Sequence, residues 1–296
     1  MSATHTEIES SMTPGQAMAG RHDLWLCDVW GVIHNGIAAF PPAVDALRRY
    51  RATGGTVVLI TNAPRPSEPV RAQLTGLGVP ADAYDELVTS GDVTRELIKA
   101  QPGAALFHLG PPRDLPLLQG LPNPVVDEKE AELCLLSGAL DDEAETEDDY
   151  MEQLGRMLAR GVRMYCANPD LVVQRGDRLV ICAGSIAKRY EEMGGEVVIA
   201  GKPRAPIYEA AISKAAAIRG SDVPRENILA VGDGLPTDIR GAAAQDLDVY
   251  FITGGIHGAE LGDLAAPGGV DAVAAKVRDM FPGIRLAAIC DELRWT

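Results

Sequence analysis

The sequence predicts an α/β fold in which a parallel sheet is built from strands that alternate with helices. Three observations lead to this prediction. Short apolar runs rich in β-branched residues alternate with amphipathic stretches. Polar residues directly follow several of these runs. In the block 102–195, proline-rich turns interrupt the alternation that the regions on either side show. At 296 residues the chain exceeds the usual size of a single domain, so two compact units or one large α/β domain are expected.

The first hundred residues show the alternation most clearly. Val44, Leu47 and Tyr50 fall on one face of a helix that ends at Gly54 and Gly55. In chain order we predict a strand at 24–27, a helix at 41–51, a strand at 56–60, a helix at 67–74, a strand at 87–89 and a helix at 92–99. The polar segment 1–21 has no apolar stretch, so we expect a frayed terminus of about 20 residues and no secretory signal.

Proline-rich turns at 111–112 and 122–124 interrupt the block that follows. The acidic run 141–149 is expected to open a helix that reaches Ala159, because negative charge is favoured at a helix amino-terminus. Further signals in this block are strands at 105–109, 133–136, 162–166 and 178–182 and a helix at 185–193.

The alternation of strands and helices resumes after residue 195. The signals are strands at 197–201, 228–231 and 249–252 and helices at 206–218, from 237 onward and at 268–281. We therefore predict a core formed by residues 1–101 and 196–296, with 102–195 as an inserted α/β domain.

Composition and charge narrow the class of protein. The net charge of −15 argues against nucleic acid or an anionic membrane as a partner. No run approaches the length of a membrane span. The five cysteines are scattered and lack a paired spacing, which favours buried thiols in a reducing compartment and a cytoplasmic location.

Polar side chains follow four of the predicted strands at the point where each strand ends. Because ligands of open α/β sheets bind at the carboxyl ends of the strands, we expect these side chains to converge on one edge. They are Asp28, the pair Thr61 and Asn62, Lys202, and Asp233 within Gly-Asp-Gly together with Asp238.

In position, order and spacing these four elements resemble the four motifs of the haloacid dehalogenase superfamily of aspartate-nucleophile phosphatases. The match is best to its second class of large-capped members, which includes phosphatases of sugar phosphates, pyridoxal phosphate and p-nitrophenyl phosphate. The segments 167–170 and 182–185 resemble the caps of that class. The resemblance implies a Rossmann-like core with a parallel sheet and a cap inserted between the second and third motifs.

The resemblance also implies a role for each element. Asp28 would attack phosphorus and form an aspartyl-phosphate, which divides one difficult displacement into two. Thr61 and Asn62 would donate hydrogen bonds to the phosphoryl oxygens, and Lys202 would supply positive charge to Asp28 and the phosphate.

A magnesium site is implied at the same place. Asp28 and Asp233 provide the hard oxygen ligands that Mg²⁺ prefers, and the backbone carbonyl of Trp30 is the family's third ligand. Asp238 would bind through water or orient Lys202. Alternatively, Asp238 shares a helix-capping role with Thr237.

Trp30 is the one clear departure from the family pattern. Most of the family's phosphatases carry a second aspartate there, which protonates the leaving alcohol and later activates water. Such general acid–base help is worth roughly 10² to 10⁴ in rate, so we expect poor hydrolysis of alkyl phosphates.

Three consequences of Trp30 stay open. The first is that the substrate has a good leaving group, as in aryl or acyl phosphates. The second is that His34 in the 31–36 flap replaces the acid. The third is that the chain only binds a phosphorylated ligand. The alternative interpretation of His34 is that it is an ordinary turn residue of the flap. The side chain of Trp30 is expected either to pack within the protein or to stack on a substrate ring.

The cap is expected to select the substrate, with Asn168, Asp170 and Arg175 as candidate contacts. The alternative to a substrate contact is that Arg175 is a loop residue whose side chain is solvated. Caps of this class often mediate dimers in relatives, so a homodimer through the cap is a candidate assembly. The sequence thus predicts a Mg²⁺-dependent phosphatase of a small phosphorylated metabolite, or else a catalytically impaired protein that senses one.

Overall fold

The computed structural model describes residues 14–175, 178–255 and 261–296. These residues divide into two compact units. The first unit contains the described residues of 1–59, 77–86 and 214–296, and the second unit contains the described residues of 60–76 and 87–213. Within the described residues, none of the helices combines the length and apolar character that crossing a bilayer would require.

The regular elements alternate along most of the chain. The strands are β1 (Leu24–Cys27), β2 (Thr56–Thr61), β3 (Glu86–Thr89), β4 (Leu106–Leu109), β5 (Leu133–Leu136), β6 (Arg163–Cys166), β7 (Val172–Arg175), β8 (Arg178–Ile181), β9 (Val197–Ile199), β10 (Ile228–Gly232), β11 (Asp248–Ile252) and β12 (Arg285–Cys290). The helices are α1 (Pro14–Ala19), α2 (Pro41–Ala52), α3 (Ser67–Gly76), α4 (Ser90–Lys99), α5 (Met151–Ala159), α6 (Ala183–Glu192), α7 (Ala205–Arg219), α8 (Arg240–Ala244) and α9 (Gly269–Met280).

The larger sheet has the strand order β12-β11-β10-β1-β2-β3. β1 pairs in parallel with β10 on one side and β2 on the other, and all four of its residues are fully buried. A strand covered on both faces is apolar throughout, which explains the run Leu-Trp-Leu-Cys. The register places Cys27 opposite Val231, so the residues that follow β1 and β10 emerge at the same level.

The second unit contains its own parallel sheet in the order β4-β5-β6-β9, with β7 and β8 forming a separate antiparallel hairpin. Its core includes Cys134 and Leu136 on β5, Met164 on β6 and Tyr190 on α6. The mixed α/β class with a parallel sheet is therefore confirmed. The boundary of the cap at 102–195 stays a prediction, since the second unit extends beyond that block.

Two local predictions are corrected. Of the terminus predicted to be frayed, residues 1–13 lie outside the described residues, and residues 14–19 form α1 because the Met18 side chain is buried in the core. The acidic run does not open a helix at 141. Instead Thr146 and Asp149 form a capping box on a short 3-10 turn at Glu147–Tyr150, and α5 begins only at Met151.

Candidate active site

Three buried carboxylates meet in the first unit. Asp28 follows β1, Asp233 follows β10, and Asp238 lies in the short π-helical segment Leu235–Ile239. One oxygen from each lies within 4.8 Å of the other two, and no other such group of acidic, histidine or cysteine ligands occurs among the described residues. Closely spaced carboxylates repel one another out of water, so a cation among them would relieve the repulsion. An all-oxygen donor set suits a hard divalent ion such as Mg²⁺.

Glycines make room for Asp233. A Cβ at Gly31 or at Gly255 would overlap the Oδ2 atom of Asp233. Gly31 also has a φ of 81°, a left-handed conformation that side chains disfavour. Any larger residue at these positions would displace the Asp233 carboxylate.

The turn after β10 fixes Asp238. Its Oδ2 atom accepts hydrogen bonds from Gly234 N at 3.1 Å and from Thr237 Oγ1 at 3.3 Å. A Cβ at Gly232 would overlap the Asp238 side chain. The Asp238 carboxylate therefore holds this segment together, and it also belongs to the carboxylate cluster. The helix start at Gly234 has no side-chain capping hydrogen bond, so the capping alternative stays a prediction. The water-mediated metal role of Asp238 stays a prediction.

Trp30 and His34 contact each other at the flap 31–36. Their rings are edge-on with centroids 5.2 Å apart, and a Cβ at Gly36 would overlap the Trp30 ring. His34 Nδ1 accepts a hydrogen bond from Gly36 N at 2.9 Å. The Trp30 side chain is thus packed within the flap.

These contacts argue against His34 as a replacement acid. His34 is buried, and burial lowers its pKa from 6.5 to about 4, so it is neutral near pH 7. With Nδ1 accepting from Gly36, the ring proton sits on Nε2. A neutral imidazole is a poor proton donor, so the geometry favours the role of an ordinary turn residue.

A second set of predicted site residues lies in the second unit. Lys202 N donates to Asn62 Oδ1 at 2.8 Å, and Asn62 Nδ2 donates to Lys202 O at 3.2 Å. Asn62 Nδ2 also donates to Asp170 Oδ1 at 2.8 Å. The two amide hydrogens of Asn62 therefore bind acceptors inside the protein, whereas they were predicted to bind phosphoryl oxygens. Thr61 is buried, and its Oγ1 accepts from Ala63 N.

The structure describes the contacts of Asn168 but only the backbone of Arg175. Asn168 Oδ1 accepts a hydrogen bond from Asp170 N at 3.1 Å, so Asn168 shapes the loop that carries Asp170. Arg175 ends β7 and pairs through its backbone with Arg178. The side chain of Arg175 lies outside the described part of the structure.

Ser90 was not among the site residues predicted from the sequence. Its buried Oγ has no hydrogen-bond partner, and a Cβ at Gly201 would lie 2.6 Å from both Ser90 Oγ and Asn62 Oδ1. Ser90 directly follows β3. Thr61 was identified as a hydroxyl residue at the end of a buried strand, and the same sequence pattern would have identified Ser90.

Two family models match the chain. One describes haloacid dehalogenase-like hydrolases and covers residues 25–121, and the other describes similar hydrolases and covers 199–280. None of the curated proteins matches the chain.

Several solved structures are similar over most of the chain. A haloacid dehalogenase-like hydrolase from Brucella suis is 48% identical, with 86% of this chain and 98% of that chain covered and a TM-score of 0.79. A glycerol phosphate phosphatase from Mycobacterium tuberculosis in complex with magnesium is 25% identical, with coverage of 93% and 77% and a TM-score of 0.69. A 4-nitrophenylphosphatase from Thermotoga maritima is 22% identical, with coverage of 94% and 97% and a TM-score of 0.68, and shows likeness of fold.

The four motifs, the two family models and the extent of the Brucella likeness agree. The chain belongs to the family of haloacid dehalogenase-like hydrolases.

Proposed function

We propose that this hydrolase is a Mg²⁺-dependent phosphatase of small phosphorylated metabolites that works through a phosphoenzyme at Asp28. The observation that supports the proposal most strongly is the buried cluster of Asp28, Asp233 and Asp238 in a chain of this family. The Mycobacterium relative is described as a glycerol phosphate phosphatase and was crystallised with magnesium, which agrees with the proposal.

The residues present fit a divalent cation. Asp28, Asp233 and the backbone carbonyl of Trp30 would hold it, and Asp238 would bind through water. When bound, Mg²⁺ would neutralise negative charge on the transferring phosphoryl group.

The chemistry of the protein itself takes two steps. A carboxylate oxygen of Asp28 attacks phosphorus while the bond from phosphorus to the leaving oxygen breaks, and the leaving oxygen keeps the electron pair. Water then attacks the phosphorus of the aspartyl-phosphate, phosphate departs and the carboxylate is restored. By the family's motifs, Lys202 and Thr61 serve the phosphoryl group during both steps.

Trp30 determines which substrates suit this site. Indole does not exchange a proton usefully near neutral pH, and His34 is neutral with its Nδ1 occupied. If neither Trp30 nor His34 supplies a proton, the leaving oxygen departs as an anion. Aryl and acyl phosphates meet this condition because their leaving groups are stable anions, whereas alkyl phosphates do not.

The same residue supports a second candidate function. A chain without its general acid and base can keep phosphate binding while losing turnover, so the protein would then sense a phosphorylated metabolite. The packed Trp30 ring is the observation that favours this alternative.

Rapid mixing with p-nitrophenyl phosphate distinguishes the two functions. The phosphatase should release p-nitrophenol in Mg²⁺ and none in EDTA, with an early burst because the second step also lacks its base. An alkyl phosphate should react slower by about 10² or more. Binding of phosphorylated compounds in a thermal-shift assay, without any Mg²⁺-dependent release of phosphate, would support the sensor and overturn the phosphatase.

A further inference from the structure

We infer that Asp170 is a positioning residue that acts on Lys202 through the side chain of Asn62. The inference rests on the proposed function, in which Lys202 serves the phosphoryl group. It replaces the expectation that Asp170 touches the substrate. The three residues lie in the second unit, and hydrogen bonds connect them in series.

The first connection joins Asn62 to the backbone of Lys202. The Asn62 amide accepts from Lys202 N at 2.8 Å and donates to Lys202 O at 3.2 Å, so it pairs with both polar groups of one residue as a neighbouring strand would. Asn62 and Lys202 are both buried. Buried hydrogen bonds of this kind hold a backbone firmly because no water competes for them.

The second connection joins Asn62 to Asp170. Because the Lys202 N–H needs an acceptor, the amide oxygen of Asn62 must face Lys202 and the amide nitrogen must face away from that N–H. Asp170 Oδ1 lies 2.8 Å from this nitrogen. A carboxylate can only accept hydrogen bonds, so it stabilises this orientation of the amide and opposes the flipped one.

Asp170 is itself held in place. Its backbone N–H donates to Asn168 Oδ1, and its carbonyl accepts from Gly184 N at 3.1 Å. A Cβ at Gly184 would crowd the carbonyls of Pro169 and Asp170, so glycine permits this close approach. The space beside Gly201 is filled in the same way by Asn62 and Ser90. The backbone before Lys202 is therefore in close contact with the Asn62 amide, so a change in the orientation of that amide would disturb it.

A positioning role and a substrate-contact role predict different effects on a probe that lacks a leaving group. Orthovanadate resembles the transferring phosphoryl group alone. A residue that touches the rest of the substrate leaves vanadate affinity unchanged, whereas a residue that positions Lys202 alters it. Affinity also does not depend on the fraction of active protein, so loss of folded material does not imitate the effect.

The experiment measures the dissociation constant of orthovanadate in Mg²⁺ for the full chain and its variants. Asp170→Ala should bind about tenfold more weakly, since small misplacements of a catalytic group are costly. Asp170→Asn should stay within about threefold of wild type, because its amide oxygen still accepts from Asn62. Asp148→Ala is the matched control, a second-unit aspartate whose side chain is 70% exposed, and should match wild type.

A double-mutant cycle identifies the route of the effect. Lys202→Met keeps the buried stem and removes the charge. If Asp170 acts through Lys202, adding Asp170→Ala to Lys202→Met should weaken vanadate no further. Asn62→Leu should reproduce the loss seen in Asp170→Ala, and it serves as the test if Asp170→Ala does not fold.

Unchanged vanadate affinity in folded Asp170→Ala would overturn the inference, as would a fully additive loss in the double variant. Failure of the proposed function has a separate signature. In that case the wild-type protein itself releases no phosphate from p-nitrophenyl phosphate in Mg²⁺, whatever its affinity for vanadate.

Discussion

The indole of Trp30 stands edge-on to the imidazole of His34, with the two ring centroids 5.2 Å apart. Trp30 occupies the position where most phosphatases of the family carry their second aspartate. Its ring covers Gly36, and His34 accepts a hydrogen bond from the same glycine. The Trp30 ring therefore packs against the flap at this position.

Trp30→Asp should restore a proton donor. We expect kcat/KM for an alkyl phosphate to rise by about 10² or more, the lower end of what general acid catalysis contributes. The rate for p-nitrophenyl phosphate should change far less, because its leaving group needs little protonation. Steady-state kinetics with both substrates measures the difference.

Trp30→Phe is the control for Trp30→Asp, since it shortens the ring without adding an ionisable group. No gain on the alkyl phosphate is expected for it. If a folded Trp30→Asp protein that still responds to Mg²⁺ also shows no gain, the missing acid is not what limits turnover.

Gly255→Ala should damage the metal site specifically. Its Cβ would overlap Asp233 Oδ2, so the carboxylate must move. We expect the Mg²⁺ concentration for half-maximal activity to rise about tenfold. Gly76→Ala is the matched control. It has open space around the new methyl group and lies at the end of α3, so activity should be unchanged. Equal Mg²⁺ dependence in both variants would show that Asp233 takes no part in metal binding.

Removal of the metal should lower stability. A ligand that binds only the folded protein adds about 2.7 kcal/mol at a hundred times its Kd. Differential scanning calorimetry should therefore show a higher Tm in Mg²⁺ than in EDTA for wild type. This difference should disappear in Asp233→Asn and persist in Asp148→Asn. Identical melting curves of the wild-type protein in Mg²⁺ and EDTA would argue that the carboxylate cluster binds no cation.

Asp248 should give stability a defined pH dependence. Burial alone would raise its pKa, but hydrogen bonds and charge from His22 and Arg285 outweigh burial and hold the pKa below its usual value. The folded state therefore favours the carboxylate. That contribution is complete above the unfolded-state pKa of about 3.9 and is lost as the pH falls through the lower folded-state pKa.

Asp248→Asn should thus lower the free energy of unfolding by about 1 to 2 kcal/mol at pH 7. The gap to wild type should narrow below about pH 4. Urea unfolding at several pH values measures both. A gap of constant size from pH 7 to pH 3 would show that the ionised form of Asp248 is not what stabilises the fold.

The sequence was sufficient for much of the fold because buried parallel strands carry a strong local signal. The runs at 24–27 and 133–136 became β1 and β5 without change. β12 was missed, since its residues 285–290 mix Arg and Ala with few β-branched side chains and depend on pairing with β11. α1 was missed because its short helix depends on the burial of Met18, a tertiary effect.

The site residues likewise differ in whether a local sequence pattern or a contact between distant residues determines their role. Asp28 and Asp233 were predictable because each directly follows a strand with a strong local signal, and Asp238 was predictable from its spacing after Asp233. The bonding of Asn62 was not predictable. Its partner Lys202 lies 140 residues away, and no local pattern shows whether an amide faces a ligand or another backbone segment. The same holds for Gly255, whose importance depends on its approach to Asp233.

The central claim is that Asp28 is the nucleophile, and Asp28→Asn tests it most directly. The amide keeps the size of the carboxylate and removes its ability to attack phosphorus. We predict that Mg²⁺-dependent release of p-nitrophenol from p-nitrophenyl phosphate falls below detection in a variant that folds as wild type does. Release at the wild-type rate in Asp28→Asn would contradict the account.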